Sequence, residues 1–281
     1  MNRKKVRSLT GIALTAVMAV SLVACAGGTK SSGQDPKQGA QPAASSVEKI
    51  KARGKLVAGV KYDLNLFGLK DPSSGKVEGF DIDLAKVVAK KIFGDENKIE
   101  LKEVTSKTRI PMLKNGEIDM IVATMTITED RKKEIDFSDV YFMAGQSLLV
   151  KKDSNINGLS DLTKGTKVVT AKGSTSTANI REKSPGTQVL EFENYAEAFT
   201  AMKAGQGDAL TTDNALLYGM AKQDPNYRVV KETFTEEPYG IGMRKNEDDL
   251  VKLVNSVLKE MKDNGEYDKL YEKWIGEKPK K

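Results

Sequence analysis

The feature that most constrains this chain is an alternation of short apolar strand patterns with helical ones, run through twice over residues 47–281. In the first series, Lys55-Leu56-Val57-Ala58-Gly59-Val60 reads as a short buried strand. Ile82, Ala85, Val88 and Ile92 then recur at helical spacing behind Asp81, a residue suited to a helix N-cap. Ile99 to Val104 is a further strand, and Met120 to Met125 a fully apolar one. The second series has strands at Lys167 to Ala171, Val189 to Phe192 and Ala209 to Thr212, with a helix over Glu197 to Lys203. An amphipathic helix carrying Leu250, Leu253, Val254, Val257, Leu258 and Met261 closes the chain. Strands alternating with helices predict an α/β fold with mainly parallel sheets. A segment this long is large for one core, which predicts two lobes. No internal repeat is visible.

The first residues read as a processing signal. A basic stretch, Arg3-Lys4-Lys5-Val6-Arg7, precedes an uncharged apolar run from Leu9 to Val23. Such a run ahead of a small residue predicts a secretory signal over residues 1–24 rather than a spanning helix. Leu22-Val23-Ala24-Cys25 resembles the bacterial lipobox, which implies cleavage before Cys25 and acylation (palmitate among the chains) of that residue. An ordinary signal peptide with an incidental cysteine is the plainer alternative. Residues 25–46, rich in Gly, Ser, Gln, Ala and Pro, then form a flexible tether.

Cys25 is the one cysteine and there is no histidine, so Cys/His zinc sites, thiol nucleophiles and histidine-based triads are excluded. No metal or cofactor site is expected. The net charge of +6, less the four cations Arg3, Lys4, Lys5 and Arg7, is +2. Lys and Arg are interspersed with acids, so nucleic acid is not an expected partner.

Several separated motifs then point one way. Gly79-Phe80-Asp81-Ile82-Asp83-Leu84-Ala85, the run from Ala123 through Arg131-Lys132-Lys133, Ile135 to Phe142, Tyr239-Gly240-Ile241-Gly242 and Asn264 to Trp274 occur in order. Together they resemble the signatures of the family 3 bacterial solute-binding proteins. The resemblance covers residues 47–279 and implies a type II periplasmic-binding-protein-like fold. Two α/β lobes, each a mainly parallel sheet flanked by helices, are joined by two hinge crossings near Met143 to Gln146 and Glu237 to Gly240. Lobe 1 would comprise 47–144 plus 238–281, and lobe 2 residues 145–237. The implied ligand is a polar amino acid held between the lobes.

An amino acid zwitterion needs a planar cation for its carboxylate and a carboxylate for its ammonium. The resemblance assigns the first to Arg131, with Thr124 and Thr126 beside it, and the second to Asp213. By residue type alone, Arg131 could be a solvated loop charge, and Asp213 a helix N-cap. The turn Gly173-Ser174-Thr175-Ser176-Thr177 heads a helix; as sequence it is a polar cap, and the resemblance implies that Ser174 and Thr175, with Lys172, meet the ligand. Ser106-Lys107-Thr108-Arg109 resembles the aspartate/glutamate-binding branch, where the arginine meets the side-chain carboxylate. Lys61 and Arg109 would add two cations to that of Arg131, fitting a dicarboxylic ligand, unless Lys61 snorkels to solvent and Arg109 caps a helix. The family's aromatic-Pro-Phe wall is replaced here by Leu64-Asn65-Leu66-Phe67-Gly68, leaving Tyr62, Phe67 and Tyr239 as candidate covers.

The expectation is therefore a non-enzymatic, membrane-anchored receptor on the extracellular or periplasmic side, binding glutamate or aspartate for an ABC importer. Its partners would be a permease and an ATPase, since this chain has no P-loop. A glutamine- or cysteine-binding receptor is the alternative within the family. A cyclohexadienyl dehydratase-like enzyme on the same fold and an amino-acid-sensing lipoprotein are the rivals outside it.

Overall fold

The computed structural model describes residues 45–276. The expected signal, Cys25 and nearly all of the tether lie outside them. Ser45 caps the first helix with a reciprocal Ser45/Glu48 capping box, so regular structure begins at Ser46, one residue ahead of expectation.

The chain runs through α1 (Ser46–Arg53), β1 (Leu56–Val60) and a small antiparallel sheet of β2 (Asp63–Leu64), β3 (Gly68–Lys70) and β4 (Val77–Glu78). Next come α2 (Phe80–Phe93), β5 (Ile99–Glu103), α3 (Arg109–Lys114) and β6 (Met120–Ile121). Helix α4 (Glu129–Glu134) and β7 (Asp136–Phe137) lead to β8 (Phe142–Ala144) and β9 (Gln146–Lys151). The second series is β10 (Lys167–Ala171), α5 (Thr175–Lys183), β11 (Gln188–Phe192), α6 (Tyr195–Lys203), β12 (Ala209–Asp213), α7 (Asn214–Gln223) and β13 (Tyr227–Val229). It ends in β14 (Glu237–Tyr239), β15 (Gly242–Met243), α8 (Asp248–Asp263) and α9 (Glu266–Ile275).

These strands make two five-stranded sheets, ordered β5-β1-β6-β15-β7 and β11-β10-β12-β9-β13. In each sheet the first two pairings are parallel and the last two antiparallel, so that the fourth strand, β15 or β9, runs against the other four. The sheets are thus mixed, half as parallel as the alternation predicts. The reason is topological: β9 and β15 each enter their sheet from the other one, and they arrive running the opposite way. Their route is a two-stranded antiparallel ribbon, β8 against β14, with Glu237 opposite Ala144 and Tyr239 opposite Phe142. This ribbon is the pair of hinge crossings.

The apolar faces account for the layering. One cluster, from Leu56, Phe80 and Val88 to Leu149, Leu210 and Leu217, runs through both lobes past the ribbon. Val57, Ile118 and Ile121 pack the opposite face of the first sheet, and Leu148, Val150 and Ile180 that of the second. In α8, Leu250, Val254, Val257, Leu258 and Met261 are buried, which lays this helix along α1 and α2. The run Met120 to Met125 is buried throughout, yet only Met120 and Ile121 join the ladder. Thr124 adopts φ 44°, a left-handed conformation costly for a β-branched residue, and it turns the chain out of the sheet toward the other lobe.

Candidate functional site

The loops at the strand ends of both sheets converge beside the ribbon. From the first lobe, Lys61 follows β1 directly and Arg109 is the first residue of α3; both are fully enclosed. Lys61 Nζ donates to Ser106 Oγ at 3.2 Å. Burial lowers its ammonium to about 8, against the favourable pull of Asp63, with Arg109 adding repulsion. Neither snorkelling nor helix capping describes this pair.

Arg109 Nη1 donates to Ala123 O at 2.7 Å. Its Nε is enclosed and has no partner. Burial, then the nearby Arg131, push its guanidinium down to about 9. The N–H of Thr124, the other end of that same peptide group, donates to Asp81 Oδ2 at 2.8 Å. Asp81 Oδ1 in turn accepts from Tyr141 Oη at 2.9 Å. Asp81 is held at about 7 by burial, although Thr124, Tyr141, Arg109 and Lys61 all favour its charged form.

Arg131 is placed by α4, whose N-cap Thr128 accepts from the Arg131 backbone N–H. Its Nη1 donates to Thr126 O at 2.7 Å, and its Nη2 reaches Gly173 O of the second lobe at 3.4 Å. Burial lowers its guanidinium, opposed by Glu237 and Asp213. Arg131 is therefore a cleft residue and not a solvated loop charge.

From the second lobe, Ser174 caps α5 by accepting from Thr177 N, and its hydroxyl donates to Ala171 O at 2.7 Å. Asp213 ends β12 at the head of α7, but its side chain makes no capping bond. Oδ2 accepts from Tyr239 Oη, while Oδ1 is enclosed without a partner. Burial first, then Glu237, raise this carboxyl to about 7, against Tyr239, Arg109 and Arg131. Two opposite charges thus present one unpartnered atom each, Arg109 Nε and Asp213 Oδ1. A buried polar atom without a partner is costly, so such a pair invites a group bearing both an acceptor and a donor.

The structure brings together Lys61, Arg109, Thr124, Thr126, Arg131, Ser174, Thr175, Asp213 and Tyr239. Lys172 is the exception and a correction. Its ammonium is exposed and paired with Glu193, so its charge is already taken up within the second lobe. Of the candidate covers, Phe67 is core, packed on Phe80, Phe142 and Tyr239, and the Tyr62 hydroxyl donates to Leu101 O of β5 at 3.0 Å.

Sequence reasoning missed three residues. Tyr195, at the head of α6, lies with its ring 5.9 Å from Lys61 Nζ, and its backbone N–H donates across the lobes to Asp63 Oδ2 at 2.8 Å. Asp81, read as a helix cap, and Glu237, read as a hinge residue, are buried acids facing the cleft cations. The available signal was an acid inside a family signature and another beside a proline in a strand-like crossing.

Comparison with known proteins agrees with this geometry. The model of the bacterial extracellular solute-binding proteins, family 3, matches residues 56–277. A glutamine-binding protein of Geobacillus stearothermophilus is 69% identical, over 87% of this chain and 95% of that protein. The ABC transporter glutamine-binding protein GlnH of Bacillus subtilis is 59% identical, over 97% of this chain and 99% of its own. Among solved structures, an ancestral arginine-binding protein bound to glutamine superposes with a TM-score of 0.75 at 48% identity, covering 80% of this chain and 99% of that one.

Proposed function

The chain belongs to the bacterial extracellular solute-binding proteins, family 3, and on that premise we propose that it is the glutamine receptor of an amino acid ABC importer. It works outside the cytoplasm, as the family does.

The observation that carries glutamine over glutamate is the balance of buried charge. Lys61, Arg109 and Arg131 look like an excess of cations only while their local sequence is considered. In space they face Asp81, Asp213 and Glu237, each enclosed in the same cleft. With Asp81 and Asp213 ionised, as pairing to a ligand ammonium requires of Asp213, three cations against three acids leave no standing positive charge for a second ligand carboxylate. A zwitterion with a neutral side chain preserves the balance, whereas a dicarboxylate adds one uncompensated buried anion. The two named relatives are glutamine-binding proteins, which supports the same choice. This reading replaces glutamate or aspartate as the preferred ligand.

In this reading Arg131 and Arg109 Nε receive the α-carboxylate, and Asp213 Oδ1 the α-ammonium. Ser174 and Thr175 close over the carboxylate from the head of α5. Lys61, with the Tyr195 ring 5.9 Å from its Nζ, donates to the side-chain amide oxygen. Lobe 1 is taken as 47–144 plus 238–281 and lobe 2 as 145–237, the two crossings of the chain being the hinge. Closure of the lobes is what a permease reads, with a separate ATPase supplying the energy. Cys25 is proposed as the acylated anchor, holding the receptor at the outer face of the membrane.

Calorimetry with glutamine, glutamate, aspartate, cysteine and arginine tests the ligand. Glutamine should bind most tightly; tighter binding of glutamate would overturn the charge argument. Turnover of prephenate or arogenate would overturn the receptor in favour of a dehydratase. Mass spectrometry of the membrane-extracted protein tests the anchor through a diacylglyceryl mass on Cys25.

A further inference from the structure

Glu237 has a position that the ligand assignment does not use. It begins β14, one strand of the ribbon between the lobes, and is 2% exposed. Oε2 accepts from Thr126 Oγ1 of the first lobe at 2.7 Å and from Thr175 Oγ1 of the second at 2.9 Å. Oε1 accepts from Asn179 Nδ2, also of the second lobe, at 3.0 Å. One buried carboxylate therefore joins both walls of the cleft.

The two arms are not equivalent. The Thr126 arm belongs to a stretch already stitched to β14 by backbone bonds: Ile127 N to Pro238 O at 2.8 Å and Gly240 N to Met125 O at 3.0 Å. Thr126 itself bridges Tyr239. Pro238 restricts Glu237 further, since a residue before proline is confined to extended conformations. Although Glu237 is the last residue of the segment taken as lobe 2, these bonds tie it to Thr126, and the two move as one body with the first lobe. Thr175 and Asn179 lie on α5, within a ring in which Gln146 Nε2 donates to Thr175 and Asn179 also donates to Gln146 Oε1. Rotating the second lobe away from the first about the ribbon carries α5 off Glu237. The bonds to Thr175 and Asn179 are then broken, while the bond to Thr126 survives.

The geometry points to Glu237 as a positioning residue that latches the closed lobes, its carboxylate binding α5 only when the cleft is shut. The inference rests on the reading that an amino acid is captured between the lobes. A charged acceptor in an enclosed site makes strong hydrogen bonds, so the latch acts on release more than on entry. Glu237→Gln leaves at most one oxygen for three donors. Asn179→Ala removes one arm from the second lobe and leaves Thr126 in place.

The test is a filter chase of radiolabelled glutamine from the full chain, with association measured separately and folding checked by circular dichroism. Glu237→Gln should release glutamine roughly tenfold or more faster, an effect on release larger than any on association. Asn179→Ala should do so by a smaller factor. Release at the wild-type rate in both variants overturns the latch, as does an effect confined to association. If Glu237→Gln does not fold, Asn179→Ala decides alone. If the wild type does not retain glutamine, the glutamine reading fails by itself, and the same rate comparison is made with whichever of glutamate, aspartate, cysteine or arginine it retains. Retention of none overturns both.

Discussion

Asp81 and Arg109 hold opposite ends of one peptide group: Asp81 accepts the Thr124 N–H at 2.8 Å, and Arg109 donates to the Ala123 carbonyl at 2.7 Å. The group they clamp lies where the chain leaves β6 with Thr124 at φ 44°. A strained turn persists only when its surroundings over-determine it, and two buried charges do so here. The loop beyond this turn carries Thr126 and Arg131 to the cleft. Arg109 therefore holds the loop that brings Thr126 and Arg131 to the cleft, which fits its proposed place at the carboxylate end of the site.

Arg109→Ala should weaken glutamine and glutamate alike, by about 2–5 kcal/mol, and should destabilise the fold as well. Calorimetry with both amino acids, alongside a thermal melt, makes the distinction. Loss of glutamate binding alone would return Arg109 to the role of side-chain reader.

Arg131→Ala should reduce affinity for every amino acid by about 2–5 kcal/mol, because the α-carboxylate is common to all. The binding panel described above provides the measurement. Unchanged affinities would remove Arg131 from the site.

Binding should weaken with acid. Asp213 stands at about 7 in the free cleft, whereas pairing with a ligand ammonium requires its carboxylate form. Below that pH a proton must leave as the ligand enters, so affinity should fall roughly tenfold per pH unit. Calorimetry in buffers of different ionisation enthalpy should detect the released proton at pH 6, and Asp213→Asn should abolish the release. Folding stability runs the opposite way. With Asp81 and Asp213 raised from 3.8 to about 7, the native state holds more protons than the unfolded one between those values. Stability of the free protein should thus decline as pH rises through that window, less steeply in Asp213→Asn.

Gly173→Ala should impair closure. Gly173 has φ 73°, and a Cβ there would stand 2.8 Å from Lys107 Cα across the cleft. The backbone penalty within the second lobe is about 1 kcal/mol. The clash is with the facing lobe, so glutamine affinity should drop by more than the melt predicts. Calorimetry compared with the thermal melt separates the two; equal losses would place the whole effect in the turn.

Much of this was legible in the residues themselves. The strand and helix periods marked most elements to within a few residues, and the closing amphipathic pattern marked α8. The order of the motifs pointed to the family and to hinge crossings at Met143 to Gln146 and Glu237 to Gly240. The two sheets have the same strand order pattern, although no repeat is visible in the sequence. Topology is preserved by where apolar runs fall and not by which residues fill them.

The sequence by itself determined what kind of molecule this is: two α/β lobes with no thiol or imidazole chemistry in the folded region, and its motifs supplied Arg131 and Asp213 as candidates for the site. Only the tertiary structure decided the site's net charge. Lys61, Arg109 and Arg131 announce themselves near their motifs, but Asp81 meets Thr124 from 43 residues away and Glu237 meets Thr126 from 111. Electrostatic balance depends on distance in space and on exclusion of water, neither of which local sequence records. The fold likewise pairs Lys172 with Glu193 and brings the Tyr195 ring to Lys61. Which amino acid the cleft favours is thus a property of the folded arrangement, and the proposal of glutamine rests on counting the acids with the cations they face.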